Sequence, residues 1–171
     1  MEFMTTARFD SLLLSEPIGS RRSIADAVRR SAANRFVFEG LARPTVVARL
    51  IDDAMGEWRW TCVHTLGAGP WASNEDRNLF ELYRRALGGH EAGALEGRLV
   101  QSFGEHDRYH LRSLLFKVVA FGWDARLFCD ASADYFEITH DGVIAFDDPD
   151  SAILRRLREG GASIGFVPGA A

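Results

Sequence analysis

Residues 111–148 read LRSLLFKVVAFGWDARLFCDASADYFEITHDGVIAFDD and carry a helical stripe, a strand and a hairpin in succession. Leu111, Leu114, Leu115 and Val118 recur at helical spacing while Arg112, Ser113 and Lys117 fall off the stripe, the pattern of a helix with one buried face. Gly122 can stop that helix. Residues 125–129 are short, apolar and flanked by aspartates, and residues 135–140 are rich in aromatic and β-branched side chains, so both read as strands. Asp141-Gly142 directly precedes Val143-Ile144-Ala145-Phe146. Asp-Gly between two such runs predicts a hairpin closed by a type I′ turn, which needs positive φ at both central residues.

Other elements follow on either side. Pro44 suits the first turn of a helix in which Val47, Leu50, Ile51, Ala54 and Met55 form one apolar face, ended by Gly56. Residues 58–66 alternate as a strand with Trp58, Trp60, Cys62, His64 and Leu66 on one side. Ser73 with Asp76 resembles a capping box, and Leu79, Leu82, Tyr83, Ala86 and Leu87 continue it as an amphipathic helix up to Gly88-Gly89. Ser23 with Asp26 opens a similar helix carrying Ile24, Ala27, Val28 and Ala32, and residues 35–39 read as a short strand. Leu95, Leu99, Val100 and Phe103 suggest a short helix before Gly104. Asp148 at N-cap and Pro149 at N1 start a last helix with Ile153, Leu154 and Leu157, ended by Gly160-Gly161. Residues 9–14 are a short strand or helical turn, and residues 163–167 a further edge strand.

These readings give an α+β fold, one domain over residues 9–167 behind a disordered leader over residues 1–8, with an antiparallel sheet including the 135–147 hairpin packed against several amphipathic helices. A chain of 171 residues with 47% hydrophobic content supports one domain with a core of its own. No apolar run approaches the ~20 residues that span a bilayer, and the start lacks a signal pattern, so the expected location is cytoplasmic with no membrane partner. Cys62 and Cys129 fall in apolar strands and are assigned to the core as thiols.

The net charge of -4 argues against nucleic-acid binding, which wants a basic surplus. Its distribution is uneven. Between Asp124 and Asp150 stand Asp124, Asp130, Asp134, Glu137, Asp141, Asp147, Asp148 and Asp150 against Arg126 alone, a net of -7 that leaves the remainder at +3. The turn explains Asp141, and the expected cap explains Asp148. Glu137, Asp147 and Asp150 remain as surplus around the hairpin, and an anionic surface of that kind attracts a basic partner and speeds association.

Complete catalytic motifs are missing from the sequence. His106 and His110 stand four apart, a spacing that puts two imidazoles on one helix face, yet the glutamate of a zinc hydrolase is missing and no third ligand is recognisable. Gly67-Ala68-Gly69-Pro70 begins like a phosphate loop but lacks its second glycine and lysine. There is no Gly-x-Ser-x-Gly elbow. His64 reads as a half-buried, hydrogen-bonded strand residue, and His140 as a turn residue among acids. No cofactor is expected.

Phe121-Gly122-Trp123-Asp124 leading into a strand, and Ile138-Thr139-His140-Asp141-Gly142 at a hairpin, resemble the small bacterial immunity proteins encoded beside polymorphic or contact-dependent toxins. The likeness covers about residues 111–148. It implies a non-enzymatic protein that binds one cognate toxin tightly and neutralises it; no binding residue of that family carries over. The residues expected to meet a basic protein partner are Tyr135, Glu137, Asp141, Asp147 and Asp148. The alternatives are a metal-dependent hydrolase built on His106 and His110, and a structural or assembly subunit.

Overall fold

A computed structural model describes residues 2–4, 8, 11, 32–38, 43–66, 74–86, 100–130 and 134–164. The expected helix at Ser23, the loop at Gly67, and most of the short strand or helical turn expected at residues 9–14 and of the strand expected at 163–167 lie outside these residues. The architecture is an α+β single domain around one antiparallel sheet. Its strands are β1 (Glu2–Met4), β2 (Arg35–Val37), β3 (Trp60–Thr65), β4 (Val100–Gly104), β5 (Ala125–Cys129), β6 (Asp134–Thr139) and β7 (Val143–Phe146). They lie in the order β1-β4-β3-β5-β6-β7-β2, every neighbouring pair antiparallel. The described helices are α1 (Pro44–Met55), α2 (Asn74–Ala86), α3 (Arg108–Ala120) and α4 (Ala152–Ser163).

The four described helices pack on one face of the sheet. Val47, Ile51, Ala54 and Met55 of α1, Leu111, Leu114, Leu115 and Val118 of α3, and Ile153, Leu154 and Leu157 of α4 are buried with Phe36, Val63, Leu127, Phe136, Ile144 and Phe146 of the sheet. The opposite face holds a smaller cluster of Met4, Cys62, Val100 and Phe128, flanked by Trp60 and Tyr135. Strand alternation explains the division: Cys62 and Cys129 are both buried, but Cys129 pairs with Thr61 rather than Cys62, so the two thiols point to opposite faces.

The hairpin forms where expected, with a different turn. Thr139 pairs with Val143, leaving His140, Asp141 and Gly142 as a three-residue loop. Gly142 N–H donates to Thr139 O at 3.1 Å, and Gly142 takes φ 74°. A three-residue loop needs one left-handed residue after its turn, whereas type I′ needs two, and glycine supplies that one. Gly122, at φ 61°, follows the end of α3 as expected.

Several expectations give way to tertiary structure. Glu2–Met4 is an edge strand on β4, not a disordered leader, because its main chain completes the ladder that β4 offers. Residues 100–104 are a strand, not a helix, since β4 is paired on both sides, by β1 and β3. Trp58 precedes β3 and joins the helix-side core, away from Trp60 and Cys62. On α2 the buried stripe runs through Phe80, Tyr83 and Arg84, while Leu82 is 63% exposed; Phe80 packs edge-on to Trp123 at 5.6 Å, which sets the helix rotation. The cap of α4 is Ser151, whose Oγ accepts from Leu154 N–H at 3.1 Å, and Asp148 instead accepts from Asp150 N–H. The α4 helix also continues through Gly160-Gly161: a Cβ at Gly160 would come within 3.1 Å of Leu50, so the glycine permits close approach to α1.

No described helix is long and apolar enough to cross a membrane.

Candidate functional site

The antiparallel register decides where each acidic residue lies. At one end of the sheet β3 and β6 begin while β4, β5 and β7 finish, as the pairs Trp60 with Gly104, Cys129 with Asp134 and Phe136 with Phe146 show. Five neighbouring strand ends at a spacing of ~4.8 Å make this rim about 19 Å long. Asp130, Asp134, Asp147, Asp148 and Asp150 all sit here, on the segments entering and leaving these strands. The turn with His140 and Asp141 is at the other end, beyond the four residues of β7.

The five residues expected to form one surface are therefore divided. Tyr135, half-buried, and Asp147 meet at the rim, where Tyr135 O accepts from Asp147 N–H at 3.4 Å, and the exposed Asp148 follows. Glu137 is 3% exposed in the middle of β6, with Oε1 accepting from Arg126 Nε at 2.7 Å across the sheet. It is not presented to a partner. Asp141 is exposed at the far end, where its Oδ1 lies 3.3 Å from His140 Nε2 and Asp124 Oδ1 lies 2.9 Å from His140 Nδ1. That end is a local clamp of the turn, because Asp124 Oδ1 also accepts from the His140 N–H at 2.7 Å.

Among the rim acids, some charges are answered and others are not. Asp134 Oδ2 accepts from Ile153 N–H at the start of α4. Asp130 accepts from the main-chain N–H groups of Arg59 and Trp60 and from Arg59 Nε. Asp147, Asp148 and Asp150 form no ion pair among the described residues. Burial, and then the charge of Asp148, pushes the Asp147 carboxyl up from its ordinary value.

The structure adds two acids that are remote in sequence. Glu57 lies between α1 and β3, and Glu105 directly follows β4; with Trp58, Arg59, Arg108 and Asp130 they line a cleft of about 530 Å³ at the same rim. Both arginines of the cleft have carboxylate partners. Arg59 holds Asp130, and Arg108 donates to Asp52 Oδ1 at 2.8 Å, Asp52 O at 3.0 Å and Gly56 O at 2.9 Å. Asp52 is fully buried and is gripped a second time by Arg112, an arrangement that ties α1 to α3. Glu57 has no ion-pair partner among the described residues, and Glu105 meets only the 94% exposed His106, at 3.4 Å. Both glutamates escaped the sequence reading because their rim position depends on which strand ends adjoin, and nothing local encodes that.

His106 lies in a 3-10 turn (Glu105–Asp107) ahead of α3, and His110 is the third residue of that helix, with its ring against Tyr109. No group of three or more histidine, cysteine, aspartate or glutamate side chains that could hold a metal occurs among the described residues.

No family model, curated protein or solved structure matches this chain.

Proposed function

We propose that this chain is a non-enzymatic binding protein, an immunity or inhibitor protein of the bacterial toxin-neutralising kind, which acts in the cytoplasm by docking a basic protein partner on the acidic rim. The observation that carries the reading is the cluster of Asp147, Asp148 and Asp150 without ion-pair partners among the described residues, on the rim that also holds Glu57 and Glu105. Uncompensated charge on a fold raises its free energy, and a cationic surface that approaches it is steered and held. The docking residues are Asp147, Asp148 and Asp150, with Tyr135 beside them. Glu137 and Asp141 drop out of the interface by burial and by position.

The test is capture from the native host with tagged wild-type protein and with a D147N/D148N/D150N variant, at low and moderate salt. One stoichiometric basic protein, retained by the wild type, lost from the variant, and toxic unless this chain is present, supports the reading. Equal retention by both proteins, or a retained partner whose toxicity is unaffected, overturns it.

A further inference from the structure

We infer that Arg158 guards the open edge of the sheet: its guanidinium holds main-chain acceptors that β2 would otherwise offer to β2 of a second copy of this chain, and so keeps two copies from pairing edge to edge. The sheet does not close on itself, and β2 is one of its two terminal strands. An edge strand presents a row of main-chain groups that template another strand unless something covers them.

The register identifies those groups. Phe38 N–H donates to Gly142 O at 2.7 Å, and Val37 pairs with Val143, so Phe38 and, by alternation, Phe36 turn their main-chain groups toward β7. Arg35 and Val37 therefore turn theirs outward. Arg158 meets this outward row. Its Nη2 donates to Arg35 O at 3.2 Å and to Ala33 O, in the 3-10 turn (Ala32–Asn34) ahead of β2, at 2.7 Å. It reaches both from α4, which lies against β2.

Self-complementarity selects the occupant that is kept out. A two-fold axis at Phe36 would set two β2 strands antiparallel, with Arg35 of each opposite Val37 of the other and the Val37 N–H directed at the Arg35 carbonyl. That carbonyl is one of the two that Arg158 occupies. The guanidinium opposes the same pairing by charge, because the axis would bring two copies of it to one seam. Arg158 is exposed, and water can satisfy edge carbonyls in its place, so the contact does more to cover the edge than to hold the fold.

The experiment is sedimentation equilibrium of the full chain from about 10 µM to about 1 mM, for the wild type, R158A and R158A/V37P. The wild type should remain a monomer, and R158A should form a reversible dimer at least about tenfold more tightly. R158A/V37P should be a monomer again, because proline at 37 removes the outward N–H and none of the bonds to β7. Amide exchange gives a second reading that needs no proline: Val37 N–H should exchange more slowly in concentrated R158A than in dilute R158A or in the wild type at either concentration. Melting curves verify that each variant is folded, and R158M, which keeps much of the aliphatic stem, replaces R158A if that variant is not. A guard-free variant that stays monomeric, a dimer in which the Val37 amide gains no protection, or a wild type that associates as tightly as R158A overturns the inference.

Discussion

Asp52 and Asp147 are acids in opposite circumstances. Asp52 is fully buried on α1 with two arginines of α3 on its oxygens, so its removal leaves two guanidinium groups facing carbonyls and apolar surface. Their side chains are 38% and 44% exposed and can partly rehydrate, so Asp52→Asn should cost roughly 2–3 kcal/mol, below the ~3–5 kcal/mol of a fully buried broken pair; denaturant unfolding measures it. Asp147 is the reverse case. Its folded-state carboxyl is raised by burial and by Asp148, so the folded protein takes up its proton more readily than the unfolded chain does. That contribution is fully present below the ordinary carboxylate value of 3.8 and is lost as pH rises through the raised one. Asp147→Asn should therefore raise the melting temperature at pH 7 by a small amount, and the advantage should vanish near pH 3. A variant that gains stability while losing its partner is the behaviour expected of a residue kept for binding. Sequence marked Asp147 as surplus charge, but nothing local singles out Asp52, since its arginine partners lie 56 and 60 residues away.

Elements were legible where local chemistry is decisive and obscure where it is not. The stripes of α1, α3 and α4 and the limits of β5 and β7 follow directly from periodicity. The start of α4 does not, because Asp148-Pro149 and Ser151 are both good opening signals and only the hydrogen bonds separate them. Ser151→Ala should cost about 1 kcal/mol through loss of the Oγ bond to Leu154 N–H, while Asp148→Ala should cost clearly less. Equal losses in thermal unfolding would return the cap to Asp148. The hairpin is similar in kind: its place is readable from Asp-Gly, but its three-residue loop depends on the register of β6 against β7. Gly142→Ala should cost ~1–2 kcal/mol, since a Cβ at φ 74° crowds the following carbonyl.

Over the whole molecule, sheet order turns an acidic segment into an acidic end. Read along the chain, residues 124–150 form one block; in the fold, Glu137 is buried in mid-sheet, Asp124 and Asp141 clamp the turn, and Asp147, Asp148 and Asp150 join Glu57 and Glu105 on the opposite rim. No sequence pattern could show this, because it follows from β4, β3, β5, β6 and β7 being neighbours in that order. The central claim is that this rim steers and holds a basic partner. The most direct test is the association rate constant with the captured partner as a function of ionic strength, for the wild type and for D147N/D148N/D150N. Steering by the rim predicts a rate that falls by about tenfold or more between low and physiological salt, and a variant that is slower at low salt with a clearly flatter dependence. A rate independent of salt, or one that falls identically in the variant, would contradict it.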